Sequence, residues 1–436
     1  MLNTPSSSSS PSNTPTTTSS PQYCSDNEEL EKALVNGNEA FSRKDYESAL
    51  QLYEKALLLY QEHVNNHQGI APMASPSFVA TTLSSIVQYK IGLAYFYLER
   101  WEEAIPFFEK AIDYDPTGYA NACTMLFNLL WKINSCVQAI ITVHDFLNRF
   151  PKKEQAIQPI LNNLKNSKHW YMDPRIRIVK LTEDNYCVQA VDDIPVEETI
   201  QVFDEDGHRE EVKGVTIVKD SLLCTDQFIT GTCTSDEETM VTMGITIKHL
   251  IQNYKKFQNV LRGLHPRKIE QAPVKFVEDW KKFFFEQLKL VKQNLGVREE
   301  FENLSLEEIE HLESDPQRLE EVLRMTMVIK LNGFVGGVYG LACMFNHSCE
   351  ENCEKIDEKI VTTKNIKKGD YLCLNYMGFD DKLANRRKYL LEHFAFECEC
   401  PRCQREIMAG ESLIVDPEDD IMEDEEEIVV TEHDVQ

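Results

Sequence analysis

The side chains with the most chemical potential lie close to the end of the 436-residue chain, in the run Cys398-Glu-Cys400-Pro-Arg-Cys403. Thiolates are soft ligands, and a Cys-x-Cys-x-x-Cys run can bring three of them onto one ion. Tetrahedral zinc takes four, so a fourth ligand has to come from elsewhere. A second stretch, Phe345-Asn-His-Ser-Cys349 with Asn352 following, concentrates amide, imidazole and thiol groups. A third, Gly369-Asp-Tyr-Leu372, leads to Tyr376. Taken singly, an Asn-His pair is often a satisfied turn, and a strand tyrosine is often ordinary packing. Their order along the chain is the stronger signal.

The elements that must position these groups alternate in type. Arg175 to Leu181 and Tyr186 to Val191 read as strands, as do Lys359 to Thr363 and Tyr371 to Tyr376 around the turn Lys367-Lys-Gly-Asp370. Between the two pairs lie helical patterns: Ile245 to Gly263, Val274 to Leu295, and two acidic helices between Leu306 and Met327. Strands divided by a long helical insertion indicate an α+β domain.

These motifs, in this order, resemble the SET domain of protein lysine methyltransferases, and most closely the SET-and-MYND (SMYD) group. Leu331-Asn-Gly-Phe334, Gly337-Val-Tyr339, Arg386-Arg387 and Phe394-Ala-Phe396 extend the likeness over about half the chain. The resemblance implies that Cys349 is the fourth ligand beside Cys398, Cys400 and Cys403, in a closed structural zinc site. It implies S-adenosylmethionine as cofactor, with Tyr376 as the catalytic hydroxyl at the end of a lysine channel. Asn346 and His347 would hold the cofactor with help from Asn332, and Phe396 would wall the adenine or the channel. The acceptor lysine, with an ordinary pKa near ~10.4, must be neutral to attack. An apolar channel and a neighbouring sulfonium both favour the neutral amine.

Four departures from the family pattern matter. The Gly-x-Gly expected against the cofactor is replaced by Asn185-Tyr186-Cys187, which sets Tyr186 at the cofactor edge and puts a side chain at each glycine position. Glu351 stands for the usual proline, and Phe394 for a frequent tyrosine. No MYND finger is present, since Cys224 and Cys233 belong to no Cys-x-x-Cys pair. Two readings follow: an active protein-lysine methyltransferase, or a non-catalytic scaffold that kept the fold and lost the cofactor.

Ahead of this domain the chain repeats itself. Gly37, Ala49, Tyr53 and Ala56 are matched at the same offsets by Gly92, Ala104, Phe108 and Ala111. This is the tetratricopeptide (TPR) pattern, in which small residues let paired helices approach and aromatics fill the groove. The two copies are separated by an inserted loop expected from His63 to Phe78. A degenerate third copy carries Ala139, Val143, Phe146 and Pro151, and Gln155 to Leu164 is expected as a capping helix. The expected organisation is therefore an all-α TPR superhelix over 28–168 and a β-rich SET domain over 173–396 with its helical insertion at about 240–330. A zinc-bound post-SET segment over 397–406 follows.

The ends differ in composition. Residues 1–27, rich in Ser, Thr and Pro, and the acidic tail 411–436 are expected to be disordered. That tail carries twelve acidic residues and no Lys or Arg, within a formal charge of −27. Such a balance argues against direct nucleic-acid binding and suits a lysine-rich protein substrate. No apolar run approaches a membrane span, and no leader sequence is visible, so a cytoplasmic or nuclear location is expected. Partners are expected to be a protein with an exposed lysine and a protein held by the repeats, whose chaperone-type clamp is incomplete because Leu34 stands where a lysine would be needed beside Asn38.

Overall fold

In the repeats, ring size sets helix spacing. Helices α1 (Pro21–Ser42) and α2 (Tyr46–His67) form one hairpin, α3 (Phe78–Tyr97) and α4 (Trp101–Tyr114) the next. A Cβ added to Gly37 would lie 2.7 Å from the Tyr53 ring, and one added to Gly92 would lie 2.8 Å from the Phe108 ring. The repeated glycine is thus the seat of the repeated aromatic, and Ala49, Ala56, Ala104 and Ala111 are fully buried around it. The computed structural model describes residues 21–67, 78–115, 119–181, 185–196, 199–203, 209–220, 222–225, 237–266, 268–334, 337–356, 358–377 and 381–415. The chain falls into two compact units, 1–122 and 123–436.

Two expectations for the repeats change. Helix α2 runs to His67, inside the expected loop, because Leu57 to Val64 contains no glycine or proline to stop it. Helix α1 begins at Pro21, inside the stretch expected to lack structure. Proline is tolerated there because a first-turn N–H has no helical partner to lose. Residues 1–20, most of the expected loop (68–77) and the tail from 416 lie outside the described residues, as does Cys233.

The second unit begins inside α5 (Ala120–Lys132) and continues through α6 (Cys136–Arg149), a 3-10 turn at Pro151–Ile157 and α7 (Gln158–Lys165). Strands β1 (Tyr171–Met172), β2 (Ile176–Lys180), β3 (Tyr186–Ala190), β4 (Thr199–Phe203), β5 (Arg209–Lys213), β6 (Val215–Lys219) and β7 (Leu222–Thr225) follow. The helical insertion comprises α8 (Glu237–Gln252), α9 (Tyr254–Val260), α10 (Val274–Asn294), α11 (Leu306–Ser314) and α12 (Pro316–Leu331). One expected helix is broken at Asn253, whose side-chain amide donates to the His249 carbonyl. Local signals hold elsewhere: Ser305 and Glu308 form the capping box of α11, and Asp315 caps α12 ahead of Pro316. The chain then runs through β8 (Gly333–Phe334), β9 (Gly337–Tyr339), β10 (Asn346–His347), β11 (Cys353–Ile356), β12 (Lys359–Thr362), β13 (Tyr371–Leu374), α13 (Leu383–Phe394) and α14 (Pro401–Met408).

The strands form small sheets, as an α+β domain requires. Their orders are β1-β6-β12-β11, β10-β13-β3-β2, β7-β9-β8 and the pair β4-β5. In the second of these, β10 runs parallel to β13, while β3 pairs antiparallel with both β13 and β2. Strand β2 is an edge, and an unpaired edge is a row of unmet donors and acceptors. Helix α6 meets them. The Ile178 N–H donates to His144 Nδ1 at 3.2 Å, and Asn148 Nδ2 donates to the Ile178 carbonyl at 2.8 Å. One helical turn, i and i+4, therefore brackets both backbone groups of one strand residue. Further along, a Cβ on Gly340 would lie 2.7 Å from the Trp170 ring and 2.8 Å from Val137. The third hairpin is built into the sheet-bearing unit.

Two outcomes are expected. Gly92→Val forces a branched side chain into the Phe108 ring and should cost about 1–3 kcal/mol, seen as a lower urea midpoint for the repeat unit. His144 is buried and its pKa is pushed down to about 3 by that burial, with Arg177 adding to the effect. Its share of stability is therefore complete above an unfolded pKa of ~6.5 and declines as pH falls from there toward 3. Between pH 7.5 and pH 5.5 the wild type should lose about 1.4 kcal/mol more than His144→Gln, measured by urea unfolding.

Candidate functional site

The four cysteines named from the sequence converge. The Sγ atoms of Cys349, Cys398, Cys400 and Cys403 all lie within 4.8 Å of one another, and this is the one such metal-ligand group among the described residues. Cys349 leaves the end of β10, Cys398 and Cys400 precede α14, and Cys403 sits in its first turn. Cys349 Sγ is 3.6 Å from Cys403 Sγ and 3.9 Å from Cys398 Sγ. Four thiolates around zinc at bonds of ~2.3 Å stand about 3.8 Å apart, so this donor set fits that ion. All four are free thiols. Crowded together, they respond unequally: hydrogen bonds with Cys398 and Cys400 push the Cys349 thiol far above its ordinary range, and hydrogen bonds from Cys349 and Cys398 pull Cys400 far below its own.

Positive groups surround the cluster. The guanidinium of Arg386, 1 % exposed, approaches Cys403 Sγ at 3.7 Å and is paired with Glu406. The backbone N–H of Cys403, in the first turn of α14, donates to Cys400 and favours its thiolate. His347 Nε2 lies 3.3 Å from Cys349 Sγ. Its Nδ1 accepts the Tyr376 N–H at 3.1 Å, which leaves the ring proton on Nε2, facing the sulfur. Burial pushes the His347 pKa down to about 4, so the imidazole is neutral at pH 7.

His347 also lines a cavity of about 770 Å³, together with Asn332, Asn346, Tyr376, Phe396 and Tyr186. All six cofactor-site and catalytic candidates thus face one space. They do not face it in the same way. The Asn346 side chain has no hydrogen-bond partner among the described residues. Asn332 commits its amide hydrogens to the His265 and Val328 carbonyls, and so pins the segment after α12. The Tyr186 hydroxyl donates to Asp145 Oδ2 on α6 at 3.2 Å. Cys187 alternates to the other face of β3, is 1 % exposed, and is not among the residues lining the cavity.

A second cavity, of about 600 Å³, shares a wall with the first. Leu331, Asn332, Cys343, Tyr376 and Phe394 line both. Tyr376 donates its hydroxyl proton to the Phe345 carbonyl at 2.5 Å, and burial pushes its pKa up, so it stays a phenol. Phe394 lies 5.0 Å and Phe396 6.3 Å from its ring. Between the two phenylalanines Ala395 adopts φ 61°, a left-handed conformation that turns the chain at the end of α13. The second cavity is also lined by Glu351, Glu354, Lys330 and Lys355.

Sequence reasoning missed three contributors. Cys343 lies in the common wall, where its thiol donates to the Tyr339 carbonyl. Asp220, 1 % exposed, accepts from the Leu341 and Ala342 N–H groups and so anchors the turn that precedes Asn346. Asp145 acts from a helix that reads as a repeat. Asp220 and Asp145 have no local signal, because their contacts cross 121 and 41 residues of chain; Cys343 bonds only four residues back, but a lone cysteine has no ligand spacing to mark it.

The cluster's anchoring role is open to measurement. Cys400→Ser should abolish bound metal and leave 394–403 fast in amide exchange. A metal-free variant with wild-type protection there would refute it.

Comparisons with known proteins find partial likenesses. Models of the tetratricopeptide repeat match residues 37–68 and 85–117, the two hairpins before residue 122. A SET and MYND domain-containing protein of Dictyostelium discoideum is 44 % identical over 63 residues, 14 % of this chain and 15 % of its own. A histone-lysine N-methyltransferase of Saccharomyces cerevisiae is 32 % identical over 100 residues, 22 % of this chain and 19 % of its own. One of Arabidopsis thaliana is 30 % identical over 101 residues, 21 % of this chain and 25 % of its own. The matched stretches therefore span a quarter or less of these relatives. Among the described residues no helix is long and apolar enough to cross a membrane. The chain is a relative of SET-domain lysine methyltransferases that carries tetratricopeptide repeats and a four-cysteine cluster fit for zinc.

Proposed function

We propose that this protein transfers a methyl group from S-adenosylmethionine to a lysine side chain of a protein substrate, in the cytoplasm or nucleus, with the repeats recruiting substrate or partner. One observation carries the reading: Tyr376 stands in the wall common to two cavities, one lined by Asn346 and His347 and the other by charged groups. The first has the size of a small-molecule site (~300–1,000 Å³), and the unpartnered Asn346 amide suits a polar ligand. Zinc is proposed for the four thiolates. With no open position it is structural, and its task is to hold Phe394 and Phe396 against Tyr376.

The cofactor would supply an electrophilic methyl group on a sulfonium. The chain's part is positioning and exclusion of water. Phe394, Phe396 and Leu331 give an apolar surround that favours the neutral form of an entering amine. Tyr376, its proton committed to Phe345, offers oxygen lone pairs to orient the amine N–H and the polarised methyl C–H. His347 ties the backbone of Tyr376 to the cysteine cluster, so the hydroxyl and the lid are held by one network.

A non-catalytic scaffold is the alternative, and it rests on the missing Gly-x-Gly. The position of Cys187, buried away from the cavity, weakens its steric argument. Calorimetric titration with S-adenosylmethionine separates the two, because silence at millimolar cofactor would sink the enzyme. Where binding is seen, Tyr376→Phe should keep the affinity within about 3-fold and lower turnover by about 10² or more, since the hydroxyl acts mainly in the transition state.

A further inference from the structure

The edge of the cofactor cavity formed by β3 lacks the glycines that would let a backbone approach a ligand, yet Tyr186 and Asn185 line that cavity. What holds this edge comes from outside the sheet. Helix α6 turns three polar side chains within five residues toward β2 and β3. His144 and Asn148 clasp Ile178, and Asp145 accepts the Tyr186 hydroxyl at 3.2 Å across the edge strand. Tyr186 pairs with Lys180 at the turn end of the β2–β3 hairpin. It is 9 % exposed, with the hydroxyl end on α6 and the rest of the ring in the cavity wall.

We infer that Asp145 is a positioning residue for cofactor binding: by holding the Tyr186 hydroxyl, the helix of the third repeat completes the wall that glycines would otherwise form. This rests on the proposed function, because it assigns the cavity to S-adenosylmethionine. The effect belongs to binding rather than to methyl transfer, since neither Asp145 nor the Tyr186 hydroxyl touches Tyr376 in the described contacts.

The experiment measures the dissociation constant for S-adenosylmethionine by calorimetry, and turnover at saturating cofactor, on the full chain. Asp145→Ala and Tyr186→Phe should each weaken binding about 10-fold. The double variant should be no weaker than either single one, because both remove the same contact. Asp145→Asn keeps an acceptor oxygen and should bind within about 3-fold of wild type. Turnover at saturation should change by less than about 2-fold in all four. Tyr186→Phe removes a single oxygen atom, so it reports on the contact even if Asp145→Ala folds poorly. Wild-type affinity in Tyr186→Phe, additive losses in the double variant, or a fall in saturated turnover with affinity intact would overturn the inference alone. A wild type that binds no cofactor would overturn the proposed function, and this inference with it.

Discussion

Four sulfur atoms within 4.8 Å of one another are the constraint on which the sheet-bearing unit turns. As neutral thiols they gain little from such crowding, and as thiolates they repel, so the arrangement is favourable only around a cation. A dication leaves the group with net negative charge, and the fold answers with the buried Arg386, the Cys403 N–H and the Nε2 proton of His347. These outer groups are as much a part of the site as the ligands. Because Cys349 follows β10 and the other three lie just before or within the first turn of α14, closing the cluster ties an edge strand to that helix.

Everything near Tyr376 inherits its order from that closure. Phe394 and Phe396 lie just before Cys398, and Ala395 holds the turn that puts both rings near the phenol. A left-handed alanine stores of order 1 kcal/mol of strain, which persists only when the surroundings over-determine it. On the other flank, the Asp220 carboxylate fixes the turn that leads into Asn346. The cavity walls are thus set by a charged clamp at each end, with apolar rings between.

Local chemistry was readable in the sequence, and long-range contacts were not. The glycine-to-aromatic spacing of Gly37 with Tyr53, and of Gly92 with Phe108, is legible because one repeat contains both partners. The capping box at Ser305 and the proline after Asp315 are legible for the same reason. Cys398, Cys400 and Cys403 announce themselves by spacing, whereas Cys349 was reached only through family resemblance. His144, Asp145 and Asn148 looked like ordinary positions of a degenerate repeat, since the groups they serve lie about 30 to 40 residues away, beyond any helical period. Helix lengths were misjudged where no breaker was present, as in α2, and where a competing side-chain bond was, as at Asn253.

The clasp of α6 on β2 bears on how such a chain can be assembled from parts. The third hairpin has the outward form of a repeat, but it sits in the same compact unit as the sheets and carries the hydrogen bonds of an edge strand. Recombination that added or lost repeats ahead of α5 would leave this clasp intact. A crossover after α6 would leave β2 with a bare strand edge, prone to pair with a second copy. The natural unit of inheritance is therefore the sheet together with its last hairpin, and the repeat array in front of it is the exchangeable piece.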